Sequence, residues 1–333
     1  MRILLTGSTG QVGGALLPLL GELGTVVAPP RALFDLARPT TLERGLDEIS
    51  PDLIVNPAAY TAVDRAEDER ELAGLVNARS PEAIANWALA HGVPIVHFST
   101  DYVFNGSGSH ARAEQDPTGP LSVYGESKLA GDVAVQASGA RHLIFRTSWV
   151  YAAHGTNFLR TISRLASERK ELRIVADQVG APTSARSIAA AVMTILREHP
   201  GNLERLFAEK RGVVNVACSG QASWHEFAVA IVEGLRARGV VLPVEAIIPI
   251  ATSDFRTRAV RPANSRLDLS RLRHDFRIAM PRWEDALAVE LDEFAGFEAA
   301  IATSAEIPAA IRWRSRGFTA TTLPLNGARC TRE

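Results

Sequence analysis

The chain has 333 residues, 46% hydrophobic and 22% charged, with a net charge of -1. That balance fits a globular protein of one large or two ordinary domains and excludes a disordered or fibrous chain. With 36 basic against 37 acidic residues, no broad basic surface for nucleic acid is expected. No apolar run approaches the roughly 18 residues of a membrane span.

Short β-branched runs alternate with amphipathic helical runs from the start. Ile3–Leu5 reads as a strand, Gln11–Leu20 as a helix and Thr25–Val27 as a second strand. Thr40–Ile49 is helical, Leu53–Val55 a third strand and Leu72–His91 a long helix. Pro94–Ser99 is a fourth strand, followed by a helix near 123–138 and a fifth strand at Leu143–Thr147. Apolar strands separated by helices predict an α/β fold, a doubly wound, Rossmann-type parallel sheet covered on both faces.

The later chain is less regular. Ile188–Arg197, Trp224–Arg236 and Trp283–Phe294 look helical; Val213–Val216 and Val244–Ile250 look like strands. We expect a dinucleotide-binding domain over 1–150 and a smaller substrate-binding region over 151–296, partly interleaved with it. From Phe297 the pattern fades into a loosely ordered tail to 333, which Trp313 and Phe318 could dock.

Only two cysteines occur, Cys218 and Cys330, neither in a C-x-x-C pair nor in a Cys/His cluster. No disulfide framework and no metal site is expected, and a cytoplasmic location fits. The start, MRILLTG, lacks the apolar run of a signal peptide.

The first strand runs into Thr6-Gly7-Ser8-Thr9-Gly10-Gln11-Val12-Gly13, and a helix follows. A pyrophosphate needs close approach to backbone N–H groups at a helix N-terminus. Gly7 permits the tight turn, Gly10 clears the phosphate path and Gly13 lets helix and strand pack closely. The second strand ends Pro29-Pro30-Arg31, with no carboxylate before Asp35. Arg31 is therefore a candidate ligand for an adenosine 2′-phosphate, which favours NADPH, with NADH the second choice.

Tyr124 and Lys128 stand four residues apart, on one face of a helix. A neighbouring ammonium is expected to lower the phenol pKa from its ordinary ~10, so that Tyr124 can protonate a carbonyl oxygen as hydride arrives at carbon. Lys128 is also within reach of the nicotinamide ribose. Thr100 follows the fourth strand, where ligands of open α/β sheets bind, and can hydrogen-bond the same oxygen. Trp149 follows the fifth strand and offers a flat wall for a sugar or base.

TGSTGQVG, NPAAYTAVDRAE, FSTDYVFNG, YGESK and FRTSWVY, in this order, resemble the extended short-chain dehydrogenase/reductases. Within them the chain is similar to the dTDP-4-dehydrorhamnose reductase family over about residues 1 to 296. STDYVF and RTSWVY are the more specific pieces. The resemblance implies reduction of the C4 ketone of a dTDP-linked 4-keto-6-deoxy sugar with NAD(P)H. It places cofactor contacts on Gly10, Gln11, Val12, Asp35, Leu36, Ala59, Tyr60, Thr61, Tyr124 and Lys128. It places the catalytic triad on Thr100, Tyr124 and Lys128, and substrate contacts on Thr100, Asp101 and Trp149. Some relatives hold magnesium between subunits through glutamates, one of them shortly after the glycine turn. Here that position is Ala15, so no metal is carried over, and a monomer and a homodimer both stay open.

Two other readings share parts of this pattern. A nucleotide-sugar epimerase or dehydratase has the same glycine turn and Tyr-Lys pair. A dehydratase wants acids directly after the strand-four threonine, whereas here one acid, Asp101, precedes an aromatic, Tyr102. A non-catalytic regulatory subunit, like the β subunit of methionine adenosyltransferase, resembles the family without the chemistry. An intact Thr100, Tyr124 and Lys128 argues for chemistry.

Overall fold

The computed structural model describes residues 1–198 and 203–303, with 297–303 as helical backbone. The first half runs β1 (Arg2–Leu5), α1 (Gln11–Leu20), β2 (Thr25–Val27), α2 (Leu42–Ile49), β3 (Leu53–Asn56), α3 (Val63–Ala66), α4 (Arg70–Gly74) and α5 (Ser80–His91). It continues with β4 (Ile95–Thr100), α6 (Val123–Ala137) and β5 (His142–Thr147). The second half runs β6 (Val150–Tyr151), α7 (Phe158–Glu168), β7 (Glu171–Val175), β8 (Val179–Gly180), β9 (Thr183–Ser184), α8 (Ala185–Arg197) and α9 (Leu203–Lys210). Then come β10 (Gly212–Asn215), β11 (Ala222–Ser223), α10 (Trp224–Ala237), β12 (Ala246–Ile250), α11 (Ser270–Phe276) and α12 (Trp283–Thr303).

Six strands form one parallel sheet in the order β10-β5-β4-β3-β1-β2. Every residue of β3, β4 and β5 is buried, which is why apolar side chains point to both faces rather than alternating, with His97 and Arg146 among the buried polar exceptions. The chain leaves β1 toward β2 and returns to β3 on the other side. The switch point thus lies at the carboxyl ends of β1 and β3, where the glycine turn, the loop after β3 and the ends of β4 and β5 converge.

The two halves interlock. The sixth strand, β10, comes from beyond residue 150, and Ile188, Ala189 and Val192 of α8 pack with Leu16 and Leu20 of α1 in one core. A second core joins Tyr151, Leu159 and Ile162 to Phe227 and Ile231 of α10 and to Trp283 and Leu291 of α12. Small pairs, β12 with β7, β11 with β8 and β6 with β9, frame it.

Two helices differ most from the sequence reading. The helix expected over 72–91 is helical from Arg70 on, but Leu75–Arg79 form a π-helical turn. That wider turn carries buried Asn77, whose amide accepts from the Tyr60 N–H at 2.8 Å and donates to the Tyr60 carbonyl and Ser127 Oγ at 3.0 Å each. The last helix does not end near Phe294 but continues to Thr303, past the expected start of the tail. The expectations for Trp313, Phe318 and Cys330 lie outside the described residues. Among the described residues no helix is long and apolar enough to cross a membrane.

Candidate active site

The glycine turn follows from steric necessity. Gly7 has φ +58°, and a Cβ there would meet the Ala58 backbone at 2.9 Å. A Cβ on Gly13 would lie 2.1 Å from the Gly7 carbonyl oxygen. The N-cap of α1, Gly10, has no side chain to satisfy the first amides, and no acid occupies the first turn. The N-terminus of α1 therefore presents uncapped N–H groups and the positive end of its dipole, a fit for a dinucleotide pyrophosphate.

These amides open into a cavity of about 620 Å³. Of the residues singled out in the sequence, Gly7, Gly10, Gln11, Val12, Gly13, Ala59, Thr61, Thr100, Asp101, Tyr124, Lys128 and Trp149 line it. Arg31, Asp35, Leu36 and Tyr60 do not. Leu36 is buried in the core between α2 and α5. Arg31 is exposed, and its Nε pairs with Asp35 Oδ1 at 3.2 Å. The Asp35 carboxylate also accepts from the Ala37 N–H, and this bond and Arg31 hold its pKa below the ordinary value. Tyr60 turns its hydroxyl to Glu69 Oε2 at 2.6 Å, while its flanking residues reach the cavity.

Helix α6 sets the reacting side chains. Ser122 caps it by accepting from the Gly125 N–H, and Gly125 is needed because a Cβ there would meet the Tyr102 carbonyl at 2.3 Å. Tyr124, Lys128 and Asp132 then project from one face. Tyr124 is in hydrogen-bond contact with Thr100, and its ring meets Tyr102 edge-on with centroids 5.7 Å apart. Burial pushes the Tyr124 phenol above its ordinary pKa, with the charges of Asp101 and Asp132 adding to the shift and the Thr100 hydroxyl opposing it.

This corrects the expectation that Lys128 lowers the phenol pKa. Lys128 is buried, and its Nζ donates to the Phe98 carbonyl at 2.6 Å. Burial lowers its own pKa to about 8, opposed by Asp132. Tyr124 is thus a neutral phenol, a proton donor, at ordinary pH. Behind it Asp132 accepts from Ser99 Oγ at 2.8 Å and pairs with buried Arg146 at 3.3 Å.

Asp101 is buried and accepts from Thr100 Oγ1 at 3.0 Å, and the hydroxyls of Ser265 and Ser148 also favour its charged form. Burial pushes its pKa up to about 6. Trp149 has φ +48°, rare for a bulky residue. The turn stacks its ring on Trp224 at 3.5 Å and 8°, over Gly180, where a Cβ would sit 2.5 Å from the indole.

Several site residues escaped the sequence reading. Asn157 lines the cavity, caps α7 and donates to Gln11 Oε1 at 2.9 Å, joining the second half to the glycine turn. An Asn before an apolar helical run is a readable cap signal. Trp224 follows Ser223, whose capping box with Glu226 was legible as S-x-x-E. Buried His97 beneath Lys128 carried no local signal.

A Rossmann sheet with a Thr-Tyr-Lys cluster and an uncapped glycine turn at its switch point defines a nicotinamide-dependent oxidoreductase of the short-chain dehydrogenase/reductase class. Comparison narrows the class. Residues 1–295 match the family model described as RmlD substrate binding domain. The chain is 47% identical over 295 residues to a dTDP-4-dehydrorhamnose reductase of Burkholderia thailandensis, covering 87% of this chain and 97% of that one. It is 41% identical to the Escherichia coli K12 protein of that name, covering 88% and 98%. A Bacillus anthracis dTDP-4-dehydrorhamnose reductase solved in complex with NADP superposes with a TM-score of 0.79 at 32% identity, covering 88% of this chain and 99% of that one. The chain belongs to the RmlD substrate binding domain family, that of the dTDP-4-dehydrorhamnose reductases.

Proposed function

We propose that the protein reduces the C4 ketone of dTDP-4-dehydro-β-L-rhamnose to dTDP-L-rhamnose with NADPH, or with NADH as second choice. The observation that carries this reading is the neutral Tyr124 phenol in contact with Thr100, in the same cavity as the uncapped α1 N-terminus. The dinucleotide, when bound, supplies the hydride. The amides of Gln11, Val12 and Gly13 hold its pyrophosphate, and Lys128 its ribose. Thr100 orients the ketone oxygen, and Tyr124 gives its phenolic proton to that oxygen. Asp101, in the cavity wall beside Thr100, contacts the sugar, and Trp149 walls it.

Arg31 takes the adenosine 2′-phosphate by turning from Asp35. Arg31→Ala is then expected to raise the KM for NADPH roughly ten- to a hundred-fold, with little change for NADH. Equal effects on both cofactors exclude that role.

In this reading 1–150 carries most of the dinucleotide site and 151–296 most of the substrate side, and the protein works in the cytoplasm as a monomer or homodimer. The test is a panel of dTDP-, UDP- and GDP-linked 4-keto-6-deoxy sugars, with NADPH oxidation as readout. The dTDP sugar is expected to turn over best. No oxidation with any of them would favour a binding protein.

A further inference from the structure

We propose that Thr6, Asn56 and His97 form a buried hydrogen-bond chain whose direction is coupled to the charge of Lys128, with His97 as a positioning residue. The proposal rests on the reading of Lys128 as the partner of Tyr124. All four side chains are at most 4% exposed. The chain crosses the sheet from β1 through β3 to β4 and ends under α6.

The donors settle its direction. Thr6 Oγ1 accepts from the Ala58 N–H at 3.3 Å and donates its own proton to Asn56 Oδ1 at 2.6 Å. The Asn56 amide nitrogen, which can only donate, then faces His97 Nδ1 at 3.2 Å. Nδ1 is therefore the acceptor, and a neutral imidazole carries its proton on Nε2. That N–H points at Lys128 Nζ, 3.5 Å away. An ammonium has donors only, so this direction suits a neutral Lys128, whose amine can accept.

A charged Lys128 suits the reverse direction. Nζ donates to Nε2, Nδ1–H donates to Asn56 Oδ1 after the amide turns over, and the amide donates to Thr6. The reversal takes from the Thr6 hydroxyl proton its acceptor, Asn56 Oδ1. Thr6 thus biases Lys128 toward the neutral amine from the far end of the chain, in the same direction as burial, which brings the ammonium pKa to about 8. Asp132 on α6 works against both. The other ionisable groups around the chain are His142 and Arg146 of β5, facing His97 and Asp132, with Asp101 and Tyr124 at the cavity.

The test is nitrogen NMR of His97 in the whole protein without added ligand, assigned against His97→Gln, across pH 6 to 10 (a range set by the ~10.4 of a free lysine). The wild type is expected to pass from the Nδ1–H to the Nε2–H tautomer with a midpoint near the Lys128 value. In Thr6→Val, which cannot donate to Asn56, the midpoint is expected to rise by roughly one pH unit. Thr6→Ser is expected to restore it. The alkaline limb of kcat should move with the tautomer midpoint. A wild-type tautomer constant over the range overturns the proposal, even if Thr6→Val fails to fold. An unmoved midpoint in a folded Thr6→Val overturns it too. The tautomer is read without turnover, so either result is independent of whether the protein reduces a keto sugar.

Discussion

In the proposed reaction Tyr124 is the residue that supplies the proton. Burial keeps the phenol protonated, and Thr100 is its hydrogen-bond partner. Tyr124→Phe removes the proton donor and leaves the ring packing. We expect kcat to fall roughly 10²- to 10⁴-fold with dinucleotide affinity nearly intact, measured by steady-state kinetics and fluorescence binding. Lys128 carries a different cost. Its pKa is lowered to about 8 in the fold, while the unfolded chain keeps the proton to higher pH. The stability penalty of its charge is present below pH 8 and fades as pH rises through the interval up to the ordinary value of 10.5. Lys128→Met should therefore stabilise the protein near neutral pH by about 1–3 kcal/mol, after loss of the Phe98 bond, while lowering activity. Thermal melts at pH 7 would show it; a lower Tm would mean that the Phe98 and Asp132 contacts outweigh the burial of charge.

At the scale of elements, what the sequence shows and what it hides divide along physical lines. The strands β1, β3, β4 and β5 were legible because a parallel sheet buried on both faces leaves short, mostly apolar runs, and the helices α1 and α6 because a glycine turn and an i, i+4 pair mark their starts. Thr100, Tyr124 and Trp149 were legible with them, since strand ends and i, i+4 spacing place side chains without knowledge of packing. The π turn at 75–79 was not, because it exists to seat Asn77 against Tyr60 and Ser127, a contact between distant segments. Nor was the Trp149–Trp224 stack, which joins a strand end to a helix 75 residues on. The bond from Asn157 at the start of α7 to Gln11 in the glycine turn is another such distant contact. Asn157→Ala removes both the α7 cap and the bond to Gln11, so it should cost about 1 kcal/mol of stability. It should also raise the KM for the dinucleotide more than it lowers kcat, because it loosens the turn without touching the phenol. A change in kcat alone would place Asn157 with the substrate instead.

For the molecule as a whole, the interlocking of the two halves explains why the cavity has its shape. β10 and α8 complete the parallel sheet and its helical layer, while Trp149, Asn157 and Trp224 bring the second half to the same switch point. In the proposed reaction one cavity carries a cradle for pyrophosphate, a proton donor and an aromatic wall. We propose that these act together in transferring hydride to a sugar carbonyl. This is tested most directly by supplying NADPH deuterated at the transferable position with the dTDP-linked 4-keto-6-deoxy sugar, and reading the product by NMR. The wild type is expected to give one deuterium at C4 of a 6-deoxyhexose, and Tyr124→Phe almost none. Deuterium at another carbon, or a recovered keto sugar with the dinucleotide unconsumed, would contradict it.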